Sequence, residues 1–284
     1  MAKKILFVHP PYISKVKSLP LGVAYLRSYL EKFGYDGDII DMDPMALGVD
    51  EIEKEIKTRM PRFVAVSFMT VQANDAQKIA EKIKKVSKDI ITVAGGVHAS
   101  AMPHETLLGG NFDFVICGEG EQTLKELMDV LDRGGSDIAG VKGLAYLKNG
   151  EVVVNPPREL IEHIDELPFP DWRGLPIHEY SAVVLGSDDN SPVFPILSTR
   201  GCPYSCIFCA SNIVFRRKYR ARSNENILKE IVFLVKKYNA KNFDFVDDTL
   251  TIYKDKMKDL CDLIIREKIQ INWICNARVN GLDR

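Results

Sequence analysis

The sequence predicts an α/β protein, a doubly wound parallel sheet followed by a second set of βα units, and three observations predict it. Short apolar runs of strand length alternate with stretches of helical period from residue 3 to about 135. The alternation stops in a Pro-rich stretch and restarts at Phe194. Glycines and small polar residues gather directly behind the apolar runs, as they do where parallel strands turn into helices.

In the first part, residues 4–8, 38–41, 63–67, 90–94 and 112–117 read as strands, short and largely apolar as strands buried on both faces are. Between them Leu26, Tyr29, Leu30 and Phe33 fall at helical spacing. So do Ala76, Ile79, Ala80, Ile83 and Val86, and later Leu124, Leu127, Met128 and Leu131. Ligands of such sheets bind beyond the carboxyl ends of the strands. That edge carries His9-Pro10-Pro11-Tyr12, Ser67-Phe68-Met69-Thr70, Gly95-Gly96-Val97-His98 and Gly118-Glu119-Gly120-Glu121. Two readings of these loops stand side by side, a binding edge and plain turns.

From residue 138 the pattern changes. Residues 143–147 and 151–154 flank Asn149-Gly150, the signature of a hairpin with a type I′ turn. Pro156, Pro157, Pro168, Pro170, Pro176 and Pro192 follow without helical period, and 138–192 reads as a connector between a first domain, 1–137, and a second, 193–284. The second begins with a strand at 194–199 and a cysteine-rich loop. A helix with Leu228, Ile231, Val232 and Val235, a strand at 242–246, a helix with Met257, Leu260 and Ile264 and a strand at 271–275 complete it. Three such strands are too few to close a barrel.

Composition excludes several classes. Of 284 residues 46% are hydrophobic and 27% charged, as in ordinary globular proteins. Lys+Arg 38 against Asp+Glu 39 gives a net charge of -1, so no overall field selects nucleic acid. The amino-terminal apolar run is far short of a signal peptide's core and no later run has the length of a membrane span, which reads as a cytoplasmic protein. The six cysteines do not suggest a disulfide framework, because Cys202, Cys206 and Cys209 crowd into one octapeptide.

That octapeptide, Cys202-Pro203-Tyr204-Ser205-Cys206-Ile207-Phe208-Cys209, follows a strand directly and offers three thiolates within a few residues. Structural zinc asks for four ligands, and no fourth Cys or His lies near in sequence. A bacterial ferredoxin run would add a fourth cysteine followed by proline. A cluster with one iron left open is the reading that fits, against zinc, a disulfide or inert thiols.

Preceded by Ser198-Thr199-Arg200-Gly201, this segment resembles the signature of the radical S-adenosylmethionine (SAM) superfamily. The resemblance implies that Cys202, Cys206 and Cys209 ligate a [4Fe-4S] cluster, that Phe208 packs near cluster and adenine, and that SAM chelates the open iron. It further implies that an electron from the reduced cluster cleaves SAM to methionine and a 5′-deoxyadenosyl radical, which abstracts hydrogen from a substrate. At the end of the next barrel strand the family carries Gly-Gly-Glu for the SAM amino group. Here Asp247 and Asp248 match by position only, with a helix N-cap role for one of them as the other reading. Arg216, Arg217, Lys218, Arg220 and Arg222 follow the loop and read as a solvated segment or as counter-charge to the cluster or an anionic substrate.

A doubly wound domain ahead of a radical SAM barrel resembles the cobalamin-binding class of that superfamily. The implied fold is a flavodoxin-like sheet of B12-binding type, then the first half of a barrel whose family form has about six βα units. Pro10, Pro11, Ser67, Met69, Gly95, Gly96 and Glu119 are the residues the resemblance assigns to cobalamin, with the glycines giving it room. The Asp-x-His-x-x-Gly that supplies a cobalt-ligating histidine in many cobalamin proteins is absent. His9 and His98 read first as hydrogen-bonding or packing residues.

The expected function is therefore cobalamin-dependent radical SAM chemistry, methyl transfer or a related reaction on a small molecule whose identity the sequence does not carry. The expected partners are a reductant such as a flavodoxin or ferredoxin and a chain supplying the missing barrel half. A second expectation is a split or truncated protein that binds cluster or cobalamin without turning over alone. A third is a zinc module beside a sensory domain.

Overall fold

The computed structural model describes residues 3–12, 17–180 and 191–281. Among these, the chain forms two compact units: 3–12, 20–161 and 170–175 make one, while 17–19, 162–169, 176–180 and 191–281 make the other. No described helix is long and apolar enough to cross a membrane.

The first unit is a seven-stranded sheet with helices packed on it. In chain order its elements are β1 (Lys3–His9), α1 (Leu21–Glu31), β2 (Tyr35–Asp41), α2 (Ile52–Arg59), β3 (Phe63–Ser67), α3 (Ala73–Val86) and β4 (Ile91–Gly95). Then come α4 (Gly96–Ala101), α5 (Pro103–Leu108), β5 (Phe114–Ile116), α6 (Glu121–Asp132), β6 (Leu144–Lys148) and β7 (Glu151–Val154). The strand order is β2-β1-β3-β4-β5-β6-β7, with β1 to β5 parallel. The chain winds outward in both directions from β1 and β3, so their carboxyl ends flank the topological switch point where ligands of open α/β sheets bind.

The apolar runs are strands because both faces are covered: Leu6, Val8, Val64, Val66, Ala94 and Val115 join one cluster with Ala76, Ile79, Ala80 and Ile83 of α3. Burying such a side chain contributes about 1.5–3 kcal/mol, and the helical spacing of the α3 residues aims all four at the sheet.

Two expectations need correction. The hairpin is not part of a connector, since β6 pairs antiparallel with β5 and extends the sheet, Phe114 facing Tyr146 and Ile116 facing Leu144. Asn149 and Gly150 both have positive φ, as a type I′ turn requires, so the turn is as read and only its place in the fold differs. The Pro-rich stretch behind it divides between the units, with 162–169 in the second and 170–175 in the first, and its residues 181–190 lie outside those described. In addition β2 starts at Tyr35, earlier than read, because Gly37 has its backbone against Phe7 and Arg27 rather than in a turn.

The second unit holds β8 (Val193–Ile196), β9 (Thr199–Arg200), α7 (Ser211–Phe215), β10 (Arg220–Ala221), α8 (Asn224–Tyr238), β11 (Asn242–Phe245), α9 (Lys254–Arg266) and β12 (Asn272–Cys275). Strands β8, β11 and β12 form a parallel sheet in the order β12-β11-β8, the βα alternation read from the sequence. Ser223 caps α8 by accepting from the Asn226 N–H at 3.1 Å. Arg222, just before the cap, pairs with Glu230 inside the unit and donates to the Leu197 carbonyl at 3.1 Å, tying the helix to the segment that leads into the cysteine loop.

Candidate functional site

Strand β8 is buried along its whole length and delivers the chain to Ser198, after which β9 pairs with β10. Gly201 then turns at φ +86, and a Cβ there would run into the Lys218 carbonyl and Phe215, so only glycine lets the chain enter the cysteine loop along this path. Within the loop the Cys209 N–H donates to the Cys206 carbonyl at 3.2 Å, closing a turn between the second and third cysteines. Cys202 is half-buried while Cys206 and Cys209 are exposed, and all three thiols are free.

Both ends of this loop are held by three consecutive residues behind β11. Asp247 is fully buried and accepts from the Ser198 N–H at 3.3 Å, from Ser198 Oγ at 2.9 Å and from Thr199 Oγ1, all ahead of the first cysteine. Thr249 Oγ1 lies 3.9 Å from Cys202 Sγ. Asp248, exposed, accepts from Ser211 Oγ at the start of α7, directly behind the last cysteine. Burial pushes the Asp247 pKa above the ordinary carboxylate value, and the Ser198 and Thr199 donors pull against that shift.

The expectations for this site thus separate. Asp247 does not face solvent but anchors the approach to the loop, and neither it nor Asp248 caps a helix through its side chain. Phe208 and Ile207 stand almost wholly exposed on the loop. Of the basic residues, Arg216, Arg217 and Lys218 are exposed, whereas Arg220 and Arg222 are buried. Sequence reasoning missed Arg278, behind β12, whose Nη1 lies 3.9 Å from Cys206 Sγ.

Among the described residues no three His, Cys, Asp or Glu side chains converge on a point as ligands of a single ion. An iron–sulfur cube asks for something else, one thiolate on each of three irons, and soft thiolates are the donors such irons take. Thr249 Oγ1 near Cys202 and the Arg278 guanidinium near Cys206 are a hydroxyl and a cation, and neither is a fourth ligand. The donor set therefore fits a three-cysteine cluster with one iron left for another molecule.

The strand edge of the first unit is the second candidate site. Pro10 and Pro11 follow β1, Ser67 and Met69 end and follow β3, and Gly95 pairs in register with Ser67. Gln72 clips the two loops at the switch point together: its Nε2 donates to the Pro10 carbonyl at 2.7 Å and its Oε1 accepts from the Met69 N–H at 2.9 Å. Nothing in the sequence pattern marks Gln72, because the link it makes between the loops depends on Pro10, which is distant in the chain. His9 Nδ1 bonds Asp41 at 2.9 Å and His98 Nδ1 bonds Thr70 at 3.1 Å, so each histidine has a hydrogen-bonding place in the framework.

The two glycines differ. Gly96, at φ +91, lies so close to Phe68 that a Cβ would meet its carbonyl oxygen at 2.6 Å, whereas a Cβ on Gly95 would meet nothing within 4 Å. Tyr12, Met69, Val71 and Val97 expose apolar surface along the same edge. Open backbone at Gly95 with apolar side chains around it fits a large flat ligand such as a corrin. Glu119, behind β5, accepts from the Ile161 N–H at 2.9 Å through one carboxylate oxygen.

The two folds and their sites define a two-part α/β protein joining a ligand-binding doubly wound sheet to a cluster-binding set of βα units. Residues 14–128 match the B12 binding domain and residues 196–283 the radical SAM superfamily. The chain belongs to the cobalamin-binding class of the radical SAM superfamily.

It is 36% identical over 99% of its length to an uncharacterized methyltransferase of Pyrococcus horikoshii, of which it covers 61%. It is 33% identical over 99% of its length to the anaerobic magnesium-protoporphyrin IX monomethyl ester cyclase of Rubrivivax gelatinosus, of which it covers 51%. The chain thus spans between half and two thirds of these relatives' own length. Its fold is similar to that of the cobalamin-dependent SAM radical enzyme OxsB, with TM-score 0.83 and 22% identity over 99% of this chain and 40% of that one. It is also similar to the radical SAM methyltransferase TsrM of Kitasatospora setae, with TM-score 0.74 and 20% identity over 94% of this chain and 52% of that one.

Proposed function

We propose that this protein is an enzyme holding a [4Fe-4S] cluster through Cys202, Cys206 and Cys209, SAM beside it, and cobalamin at the strand edge of the seven-stranded sheet. Its reaction is methyl transfer or related radical chemistry on a small molecule. The observation that carries the reading is the cysteine loop: three free thiols in one octapeptide, held at both ends by buried or hydrogen-bonded side chains, and among the described residues no further His, Cys, Asp or Glu gathered with them as a metal-ligand group. When bound, the cluster supplies the electron that cleaves SAM reductively.

The chain's own residues orient and shield. Asp247 and Gly201 set the path of the loop. Asp248, exposed beside Ser211, presents a carboxylate to the SAM ammonium, and the exposed Phe208 ring offers a face to adenine. On the other unit Pro10, Pro11, Ser67 and Met69 line the switch point that Gln72 holds in shape, Gly95 leaves room for the corrin, and Gly96 lets the loops behind β3 and β4 approach each other. Glu119, behind β5 at the same strand edge, is the carboxylate offered to a side-chain amide of cobalamin. A flavodoxin or ferredoxin serves as reductant. The reading of a binding fragment without turnover is not favoured, because similarity to enzymes runs through both units.

Anaerobic iron and sulfide reconstitution of the wild type and of the Cys202→Ala/Cys206→Ala/Cys209→Ala variant, followed by electron paramagnetic resonance with and without SAM, tests the cluster. A cysteine-dependent signal that changes with SAM is expected. A folded wild type without a cluster removes the reading. Binding of hydroxocobalamin, followed by its visible spectrum, tests the other site independently.

A further inference from the structure

We infer that Arg278 sets the reduction potential of the cluster by holding a permanent positive charge against one of its cysteine ligands, with Tyr204 as the platform that keeps it there. The inference rests on the cluster reading above. Arg278 comes from the loop behind β12 and Cys206 from the loop behind β9, yet Arg278 Nη1 lies 3.9 Å from Cys206 Sγ. The guanidinium carbon stands 4.0 Å from the centre of the Tyr204 ring, inside the range of a cation–π contact. One arginine therefore touches two residues of the cysteine octapeptide, and among the described residues no carboxylate competes for it.

The chemistry follows from charge. Reducing an iron–sulfur cluster adds a negative charge, and a donor or cation at a ligating sulfur stabilises the reduced form more than the oxidised one, which raises the potential. Arginine stays protonated in proteins, so this charge does not depend on pH. Thr249, the other side chain near a cysteine sulfur, cannot do the same: its hydroxyl donates to the Asp248 carbonyl at 2.6 Å, so its one proton is committed. Arg278 is thus a positioning and tuning residue, not a ligand.

The test is a potentiometric titration of the reconstituted 284-residue chain without SAM, monitored by electron paramagnetic resonance, for wild type, Arg278→Gln, Arg278→Lys and Tyr204→Leu. Arg278→Gln is expected to keep its iron and sulfide and to lose about tenfold in the ratio of reduced to oxidised cluster at fixed potential. For a one-electron couple that is a negative shift of about 59 mV. Arg278→Lys restores part of the shift. Tyr204→Leu moves the potential the same way with the arginine still present, and decides the matter if Arg278→Gln fails to load. An unmoved potential in loaded Arg278→Gln overturns the inference alone and leaves the cluster reading intact. An unmoved potential together with loss, in Arg278→Gln, of the change that SAM causes in the wild-type resonance signal when it is added to a parallel reduced sample assigns the arginine to the SAM carboxylate instead. A wild type without a cysteine-dependent cluster overturns both.

Discussion

Asp247 accepts a hydrogen bond from Ser198 Oγ at 2.9 Å, joining the segment behind β11 to the residue behind β8 from which the chain runs toward the cysteines. Removing the carboxylate strands buried donors of Ser198 and Thr199, each at about 1–3 kcal/mol. Asp247→Ala is expected to lower the stability of the second unit by at least about 2 kcal/mol in urea unfolding and to reduce iron uptake on reconstitution. Asp247→Asn, which keeps an acceptor, loses less of both.

The same residue predicts a pH dependence. Burial, partly offset by the Ser198 and Thr199 donors, raises its folded pKa above the unfolded value. The unfolded chain then releases its proton first, so this group's contribution to stability is present below the ordinary carboxylate range. It is lost as pH rises through that range toward the raised folded value. Unfolding free energy measured from pH 4 upward should fall less steeply in Asp247→Asn than in wild type, and identical slopes would remove the assignment.

Gly95 and Gly96 should respond oppositely to alanine. Gly96→Ala places a Cβ at 2.6 Å from the Phe68 oxygen in a left-handed conformation and is expected to cost well over 1 kcal/mol of stability. Gly95→Ala, at an extended position with nothing near, should leave the unfolding midpoint in place. It should weaken hydroxocobalamin binding in a spectral titration, and unchanged affinity would take Gly95 out of the corrin site.

Gln72→Leu unties the loops behind β1 and β3 and orphans the Pro10 carbonyl and the Met69 N–H, a cost of about 1–3 kcal/mol. Gln72→Glu keeps the acceptor for Met69 but has no donor for Pro10. Hydrogen exchange at the Met69 amide separates the two, with faster exchange expected in the leucine variant.

The cysteines should divide by environment. Burial pushes the Cys117 thiol up to about 11, so roughly one part in a thousand is thiolate at pH 8. Iodoacetamide labelling of the native, metal-free chain read by mass spectrometry is expected to modify the exposed Cys206 and Cys209 long before Cys117. Equal rates would mean that Cys117 is not buried in solution.

The strands of the first unit were legible because burial on both faces leaves a run of apolar residues, and Ala76, Ile79, Ala80 and Ile83 reported their helix through spacing alone. The Asn149-Gly150 turn was legible because its backbone accepts few other residues. That its hairpin joins the sheet was not, since pairing with β5 depends on which edge is open. Gln72, Thr249 and Arg278 escaped for a related reason: each acts through a partner far away in the chain.

The cysteine loop was legible in the sequence, because Cys202, Cys206 and Cys209 fall within one octapeptide and chain connectivity alone keeps them near one another. Asp247 and Asp248 needed the tertiary structure. They are chemically identical neighbours, yet one is buried against Ser198 and the other exposed beside Ser211. Parallel pairing of β11 with β8 brings the segment behind β11 beside Ser198, so tertiary pairing, and nothing in their identity, decided which carboxylate holds the loop and which stands exposed.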